Sequence, residues 1–134
     1  MTDRRQVLVG SLAGSLLPLS ALASAAWAGE GGRPYRAIFD RTLKAGRAFA
    51  AEAAARGWAA VAIDGDVTDL WYHDLGPRWR EGPAAIAGVT HGSSFFVLDH
   101  LARSAGMRVI SRADLQEEAA VSWLIASPVR SRRT

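Results

Sequence analysis

Two aspartates separated by one glycine, Asp64 and Asp66, follow directly after the apolar run at residues 58–63. Paired carboxylates at the end of a strand can hold a hard cation, or one can attack a substrate while the other moves a proton. The same Asp-Gly-Asp sequence also makes a tight turn, with Asp66 or Thr68 starting the next helix. We favour the turn, and we keep a small hydrolase that uses Asp64, Asp66 and His91 as an alternative.

The run Asp64-Gly65-Asp66-Val67-Thr68 resembles the first motif of haloacid-dehalogenase-type phosphatases. The resemblance implies that Asp64 attacks phosphorus, that Asp66 acts as acid and base, and that magnesium binds both carboxylates. The family also uses a lysine downstream of this motif. The single lysine of this chain, Lys44, lies upstream, so the resemblance covers five residues only.

Hydroxyl groups and an imidazole follow the next apolar run, at residues 84–89, ahead of a predicted helix. These side chains belong to Thr90, His91, Ser93 and Ser94. Free backbone amides at a helix N-terminus bind anions, and neighbouring hydroxyls add donors. Binding of a small anion at this turn is therefore a second alternative. The turn lacks the second glycine of the Gly-x-Ser-x-Gly motif that presents a serine nucleophile.

The chain has no cysteine, which excludes disulfides, iron–sulfur clusters, thiolate zinc sites and covalently attached c-type haem. The histidines, His73, His91 and His100, do not have the i, i+4 spacing of a helical zinc motif. We therefore predict no cofactor and assign no metal site. We expect His100 to be structural or exposed.

Residues 71–80 concentrate the side-chain types that dominate protein interfaces, namely Trp, Tyr and Arg. We predict that part of this segment binds a protein partner. The candidate contact residues are Trp71, Tyr72, Arg78, Trp79 and Arg80. In the other interpretation, one or both tryptophans fill the small core.

Apolar periodicity predicts an alternation of strands and helices. The predicted strands lie at residues 35–39, 58–63, 84–89, 107–111 and 120–126. The predicted helices lie at residues 40–56, 67–75 and 95–105. Asp40 is the expected N-cap of the first helix, Gly57 and Gly106 are expected to end the first and third, and Gly76-Pro77 to end the second.

This alternation indicates an α/β fold. We predict a small three-layer, mainly parallel sheet of about four parallel strands, with about three helices. A C-terminal antiparallel strand pairs with strand four, because the connection between them is too short for a helix. The continuous apolar run at residues 58–63 predicts a strand covered on both faces. The carboxyl ends of parallel strands share one edge, so we expect Asp40, Asp64, Asp66 and the 90–94 turn to lie together.

A length of 134 residues suits a single domain, which we place at residues 35–128 after a flexible lead-in at 29–34. The formal charge of +3 is spread along the chain apart from a basic tail at residues 129–134. Nucleic-acid binding normally requires a basic face. We therefore expect no nucleic-acid partner.

The first 28 residues read as a targeting segment that is not part of the fold. The run Arg4-Arg5-Gln6-Val7-Leu8, followed by an uncharged stretch to Ala28, resembles the twin-arginine (Tat) export signal. Ala26-Trp27-Ala28 is the expected cleavage site, and Ala23-Ser24-Ala25 is a second one. The alternative is an uncleaved membrane anchor, since the uncharged stretch is long enough to span a bilayer. Membrane contact is expected only through this segment.

The Tat resemblance implies export in the folded state to the periplasm. Proteins that take this route commonly carry a cofactor or travel with a partner that does. No cofactor motif is visible in the sequence. We therefore predict a non-catalytic accessory or binding subunit of a periplasmic redox enzyme, and a protein partner that is co-exported.

Replacing both arginines, Arg4→Lys with Arg5→Lys, tests the export prediction. We expect the double variant to remain in the cytoplasm, because the paired arginines are the signal that the Tat resemblance rests on. Cell fractionation, with the unchanged chain as control, measures the distribution. Normal export of the double variant would contradict the Tat interpretation.

Overall fold

The computed structural model of the chain describes residues 33–128. The predicted signal segment (1–28), most of the lead-in (29–34) and the basic tail (129–134) lie outside these residues. The strands are β1 (Arg36–Asp40), β2 (Ala60–Ile63), β3 (Ile86–His91), β4 (Arg108–Leu115) and β5 (Ala120–Ala126). The helices are α1 (Lys44–Ala55), α2 in three consecutive parts (Thr68–Leu70, Trp71–Leu75 and Gly76–Trp79) and α3 (Gly92–Ser104). Within the described chain, no helix is long and apolar enough to cross a membrane.

The strands form one mixed sheet in the order β2-β1-β3-β5-β4. At its centre β1 pairs in parallel with both β2 and β3. β5 pairs antiparallel with β4, as predicted, but it also pairs antiparallel with β3. β4 is therefore separated from the three parallel strands by β5. The residues of the two strands fit this order. β5 is buried along its whole length, as an inner strand is, while β4 alternates between exposed and half-buried residues, as suits an edge.

The prediction that residues 58–63 form a strand covered on both faces is wrong. β2 is an edge strand in which Ala60 and Ala62 are exposed and only Ile63 is buried. An alanine exposes little apolar surface, so a run rich in alanine can stand at an edge at small cost. An apolar run therefore did not distinguish an edge strand from a buried one.

The first helix begins later than the sequence predicted. α1 starts at Lys44, whereas Asp40 is the last residue of β1 and is not the N-cap of the helix. The residue at the N-cap position, Leu43, offers no side-chain hydrogen bond. The helix ends agree with prediction, since Gly57 and Gly106 follow α1 and α3 with positive φ angles of 76° and 83°.

Gly76 and Pro77 do not end the second helix, contrary to prediction. The middle part of α2, Trp71–Leu75, is a wide π-type turn, and the helix continues beyond it to Trp79. A proline has no N–H to donate and crowds the preceding turn of a helix. A wider turn relieves that crowding. Gly76 is needed there, because a Cβ at this position would lie 2.8 Å from the Trp71 carbonyl oxygen.

The largest core side chain, Trp123 of β5, is fully buried against the neighbouring strand β3. Its ring lies over Gly88, where a Cβ would clash with the indole and would lie 2.5 Å from the Ile38 carbonyl oxygen. The indole Nε1 donates a hydrogen bond of 3.1 Å to the Thr90 hydroxyl. Glycine at position 88 thus makes room for the tryptophan around which this face of the sheet packs.

Trp79 lies in the same core, so its assignment to a partner-binding surface is corrected. The side chain is 6% exposed, and its Nε1 donates to the Ala84 carbonyl oxygen at 3.0 Å. The half-buried Trp71 contacts it at a ring-centroid distance of 5.8 Å. In contrast, Tyr72 is 71% exposed. The segment therefore divides into an inward tryptophan and an outward tyrosine.

Trp79→Ala should lower the free energy of unfolding by about 3–5 kcal/mol, because it leaves a large cavity in the core. It also removes the donor to Ala84. The matched control is Tyr72→Ala, two turns away on the same helix, where an exposed ring is lost and we expect little change. Chemical denaturation of both variants measures the difference. Equal effects from the two substitutions would contradict the assignment of Trp79 to the core.

Candidate functional site

The carboxylate of Asp40 is completely buried at the carboxyl end of β1. Its Oδ1 accepts two hydrogen bonds from Thr42, one from the backbone N–H at 2.9 Å and one from the hydroxyl at 2.6 Å. Its Oδ2 is buried and accepts no hydrogen bond. One half of the carboxylate is therefore committed to a local turn, while the other half remains an unused acceptor.

His91, at the carboxyl end of β3, faces this unused oxygen. Its Nε2 lies 3.9 Å from Asp40 Oδ2 and 3.3 Å from the Thr42 hydroxyl oxygen. The Thr42 hydroxyl already donates its proton to Asp40, so towards His91 it can only accept. The geometry consequently favours the tautomer that carries its proton on Nε2. The His91 side chain is 40% exposed, so its ring joins the buried carboxylate to solvent.

We call Asp40, Thr42 and His91 the carboxyl-edge site. Parallel pairing of β1 with β3 brings Asp40 and His91 to the same edge of the sheet, as the alternation of elements predicted. Helix α1 closes against it, because Gly46 packs directly on the Asp40 main chain and a Cβ there would overlap the Asp40 carbonyl oxygen. A larger residue at position 46 would push the helix away from the site.

The predicted anion-binding set is not assembled as a polar turn. Thr90 is completely buried, and its hydroxyl is committed to the His91 carbonyl oxygen and to the Trp123 indole. Ser94 is 3% exposed and sits inside α3, which begins at Gly92. Of the four predicted residues, Ser93 is exposed and His91 is half-buried, while Thr90 and Ser94 are enclosed.

Asp64 and Asp66 lie in the tight turn that the sequence favoured. Gly65 has a positive φ of 82°, and α2 begins at Thr68. The Asp66 Oδ1 accepts from the Thr68 backbone N–H at 3.0 Å and from the Thr68 hydroxyl at 2.7 Å. These hydrogen bonds hold the pKa of Asp66 below its ordinary value. Both aspartates are exposed, so solvent hydrates their carboxylates.

Acidic residues and histidines do not converge further within residues 33–128. No group of three or more such side chains there could hold a metal ion. His100 is exposed on α3, where its ring stacks on Phe96 at a centroid distance of 6.5 Å. In the described part of the chain, the candidate functional group is therefore the Asp40–His91 pair and not a cluster of carboxylates.

Glu118, which sequence reasoning left without a role, caps the first helix from a distance. Its two carboxylate oxygens accept from the backbone N–H groups of Lys44 and Ala45, at 2.8 and 2.9 Å. These bonds lower the pKa of Glu118. A carboxylate at a helix N-terminus also opposes the positive end of the helix dipole. The turn between β4 and β5 is thereby tied to the start of α1.

Asp74 of α2 ties that helix to the beginning of β1. It accepts from the Tyr35 hydroxyl at 2.6 Å and from Arg36 Nε at 2.7 Å. Burial, and then the hydrogen bond to Asp74, raise the pKa of Tyr35. Arg78 lies over the Tyr35 ring at 5.5 Å. Of the predicted partner residues, Tyr72 and Arg80 are exposed, while Trp71 and Arg78 are half-buried.

A short sequence pattern could have indicated the turn at Asp40, although the predicted strand and helix boundaries did not show it. The tripeptides Asp40-Arg41-Thr42 and Asp66-Val67-Thr68 share an Asp-x-Thr pattern, and each makes the same turn through Oδ1. An aspartate can accept from the backbone N–H two residues on, and a threonine there adds its hydroxyl as a second donor. Burial of the first aspartate follows from the sheet order, which the pattern does not reveal.

Searches with protein-family models, against curated proteins and against solved structures found no match for this chain.

Glu118→Gln should lower the free energy of unfolding by about 1 kcal/mol at neutral pH, as expected for a weakened helix cap. The folded-state pKa of Glu118 is lowered, so its stabilising contribution is present above the ordinary value of 4.5. It is lost as the pH falls through the folded-state pKa. Denaturation at neutral and acidic pH measures this, with the exposed Glu81→Gln as control. A difference between Glu118→Gln and the unchanged chain that persists at low pH would contradict the charged-cap role.

Proposed function

We propose that this protein is a non-catalytic binding protein that receives a small polar ligand at the carboxyl-edge site. The observation that carries the proposal is the completely buried Asp40 carboxylate, whose Oδ2 has no hydrogen-bond donor. A buried charge is costly unless it is paired and fully hydrogen-bonded. A buried polar group that is left partly unsatisfied calls for an explanation, and a functional role is one of them.

The second Asp-x-Thr turn supplies an internal comparison. Asp66 makes the same two hydrogen bonds to Thr68 that Asp40 makes to Thr42, yet it stays exposed. The turn itself therefore does not require burial of the carboxylate. Asp40 ends a strand that lies between two others, which accounts for its burial, and its second oxygen also faces His91. This difference supports a role for the Asp40–His91 pair beyond making a turn.

The polar groups of this site are mainly hydrogen-bond acceptors. Asp40 as a carboxylate can only accept, and the Thr42 hydroxyl has given its proton to Asp40. With the proton of His91 on Nε2, the remaining ring nitrogen is an acceptor as well. A ligand that donates hydrogen bonds, such as an amine, an amide or a hydroxyl compound, therefore fits better than an anion that carries no donor.

Hydrolysis is the second candidate function, and one observation favours it. An imidazole that lies 3.9 Å from a buried carboxylate oxygen and is open to solvent on its other side is suited to moving protons. The pairing of Asp40 with His91 supports this version better than attack by Asp64 with Asp66 as acid and base. The latter two carboxylates are exposed at a turn and have no partner group for a metal within residues 33–128.

We also propose that the chain is exported through the Tat route and acts in the periplasm beside a protein partner, such as a co-exported redox enzyme. The paired Arg4 and Arg5 and the uncharged stretch that follows support this proposal. The exposed Tyr72 and Arg80 of the 71–80 segment remain the proposed contact residues for that partner. An uncleaved membrane anchor is the alternative outcome for the first 28 residues.

We further infer that the sheet has helices on both faces, in three layers. Leu75 of α2 and Leu98 of α3 share a core cluster with Trp123 of the sheet. Phe49 of α1 is buried outside that cluster, and α1 contacts β1 and β3. The crossovers from β1 to β2 and from β2 to β3 run in opposite directions across the sheet. Right-handed connections then place α1 and α2 on opposite faces.

A thermal-shift screen with small amines, amides, sugars and inorganic anions tests the binding proposal. We expect a donor compound to raise the melting temperature, since a ligand at 100 times its Kd adds about 2.7 kcal/mol of stability. His91→Ala should abolish the shift, because the half-exposed imidazole supplies the ring nitrogen that accepts from the ligand. Asp66→Asn, in the matched exposed turn, should keep it. A shift that anions cause, or that survives in His91→Ala, would contradict the proposal.

A further inference from the structure

The outer edge of β2 carries backbone groups that are directed away from the sheet. Ala37 donates to the Ala59 carbonyl oxygen at 2.8 Å, and Arg41 donates to the Ile63 carbonyl oxygen at 3.0 Å. The odd-numbered residues of β2 therefore turn their backbone groups towards β1. Because the groups alternate along a parallel strand, the N–H and C=O groups of Ala60 and Ala62 point outward. Within residues 33–128, no strand pairs with this side of β2.

The two edges of the sheet differ in how they are protected. The β4 edge carries Arg108, Arg112 and Asp114 and is interrupted by a bulge at Ile110. Charged residues and bulges are the devices that keep edge strands from pairing with other chains. β2 contains neither, since its sequence is Ala-Val-Ala-Ile and its register with β1 is continuous. The β2 edge is therefore open to strand addition.

We propose that the β2 edge pairs antiparallel with the β2 edge of a second copy of this chain. In an antiparallel pair, opposite residues can exchange both hydrogen bonds. A two-fold axis at Val61 sets Ala60 opposite Ala62 of the second copy and Ala62 opposite Ala60. This register satisfies all four outward groups of each strand. The two sheets then form one continuous sheet through a self-complementary interface.

The charges that flank β2 favour a second copy of this chain as the partner that pairs with the β2 edge. Arg56 precedes the strand, and Asp64 and Asp66 follow it; all three are exposed. The antiparallel register about Val61 brings the end of β2 that Arg56 precedes in one copy to the end that Asp64 and Asp66 follow in the other. A parallel arrangement would instead set like charges beside each other. Opposite charges across paired strands stabilise the pairing and like charges oppose it.

Sedimentation velocity of the purified chain over a wide concentration range tests the proposal. We expect a reversible dimer for the unchanged chain. Ala62→Lys should give a monomer with an unchanged melting temperature, because it places a charge on the exposed edge without touching the core. Ile110→Lys, the same change on the opposite edge, should leave the dimer intact. A monomer at every concentration, or a dimer that persists in Ala62→Lys, would overturn the proposal.

Charge exchange tests the orientation of the two copies. Arg56→Glu should weaken the dimer several-fold, because the symmetry repeats the unfavourable contact. Combining it with Asp66→Lys should restore the association, since opposite charges then face each other again. Circular dichroism checks that each variant is folded. Failure of the combined variant to regain affinity over Arg56→Glu would overturn the antiparallel register.

Discussion

Burial of the Asp40 carboxylate is the constraint on which the other features of the carboxyl edge depend. The main chain of Asp40 continues the register of β1 with β2, and its side chain turns the chain at Thr42 so that α1 starts only at Lys44. Gly46 brings α1 against the Asp40 carbonyl group. The end of β3 meets the free carboxylate oxygen through His91. Two strands and one helix thus converge on a single charged group.

The core supports this site from below. Trp123 packs over Gly88, and its indole nitrogen holds the Thr90 hydroxyl, one residue before His91. The Thr90 hydroxyl in turn donates to the His91 carbonyl oxygen at 2.9 Å, which restrains the His91 main chain. The position of the imidazole is therefore set by packing in the centre of the sheet as well as by its own contacts. Glu118, in the β4–β5 turn, fixes the position of α1 by capping the N-terminus of that helix.

The sequence predicted the alternation of five strands and three helices, because glycines at helix ends and apolar runs are local signals. It also predicted the antiparallel pairing of β4 with β5 from the short connection. It did not predict that β5 lies between β3 and β4, since that order depends on which strand can be buried on both faces. The sequence predicted a β2 strand covered on both faces and a Trp79 at a partner-binding surface. In the structure β2 is an edge strand and Trp79 is buried in the core.

The candidate site was predicted in part. The shared edge of Asp40 and the 90–94 turn followed from the alternation of elements, but the pairing of one buried carboxylate with one histidine did not. Four residues were selected by residue type alone. Asp64 and Asp66 lie in a solvent-exposed turn, and Thr90 and Ser94 are buried. Residue type marks what a side chain can do, whereas burial decides which partners it meets.

The tautomer of His91 at neutral pH tests the central claim that Asp40 and Thr42 orient this imidazole and leave an acceptor facing the ligand. Long-range proton–nitrogen NMR correlation of the histidine rings, with His91 assigned through a His91→Ala sample, identifies the protonated nitrogen. We expect the neutral form of the ring to carry its proton on Nε2, with the other nitrogen unprotonated. A ring protonated on the other nitrogen, with Nε2 accepting from Thr42, would contradict it.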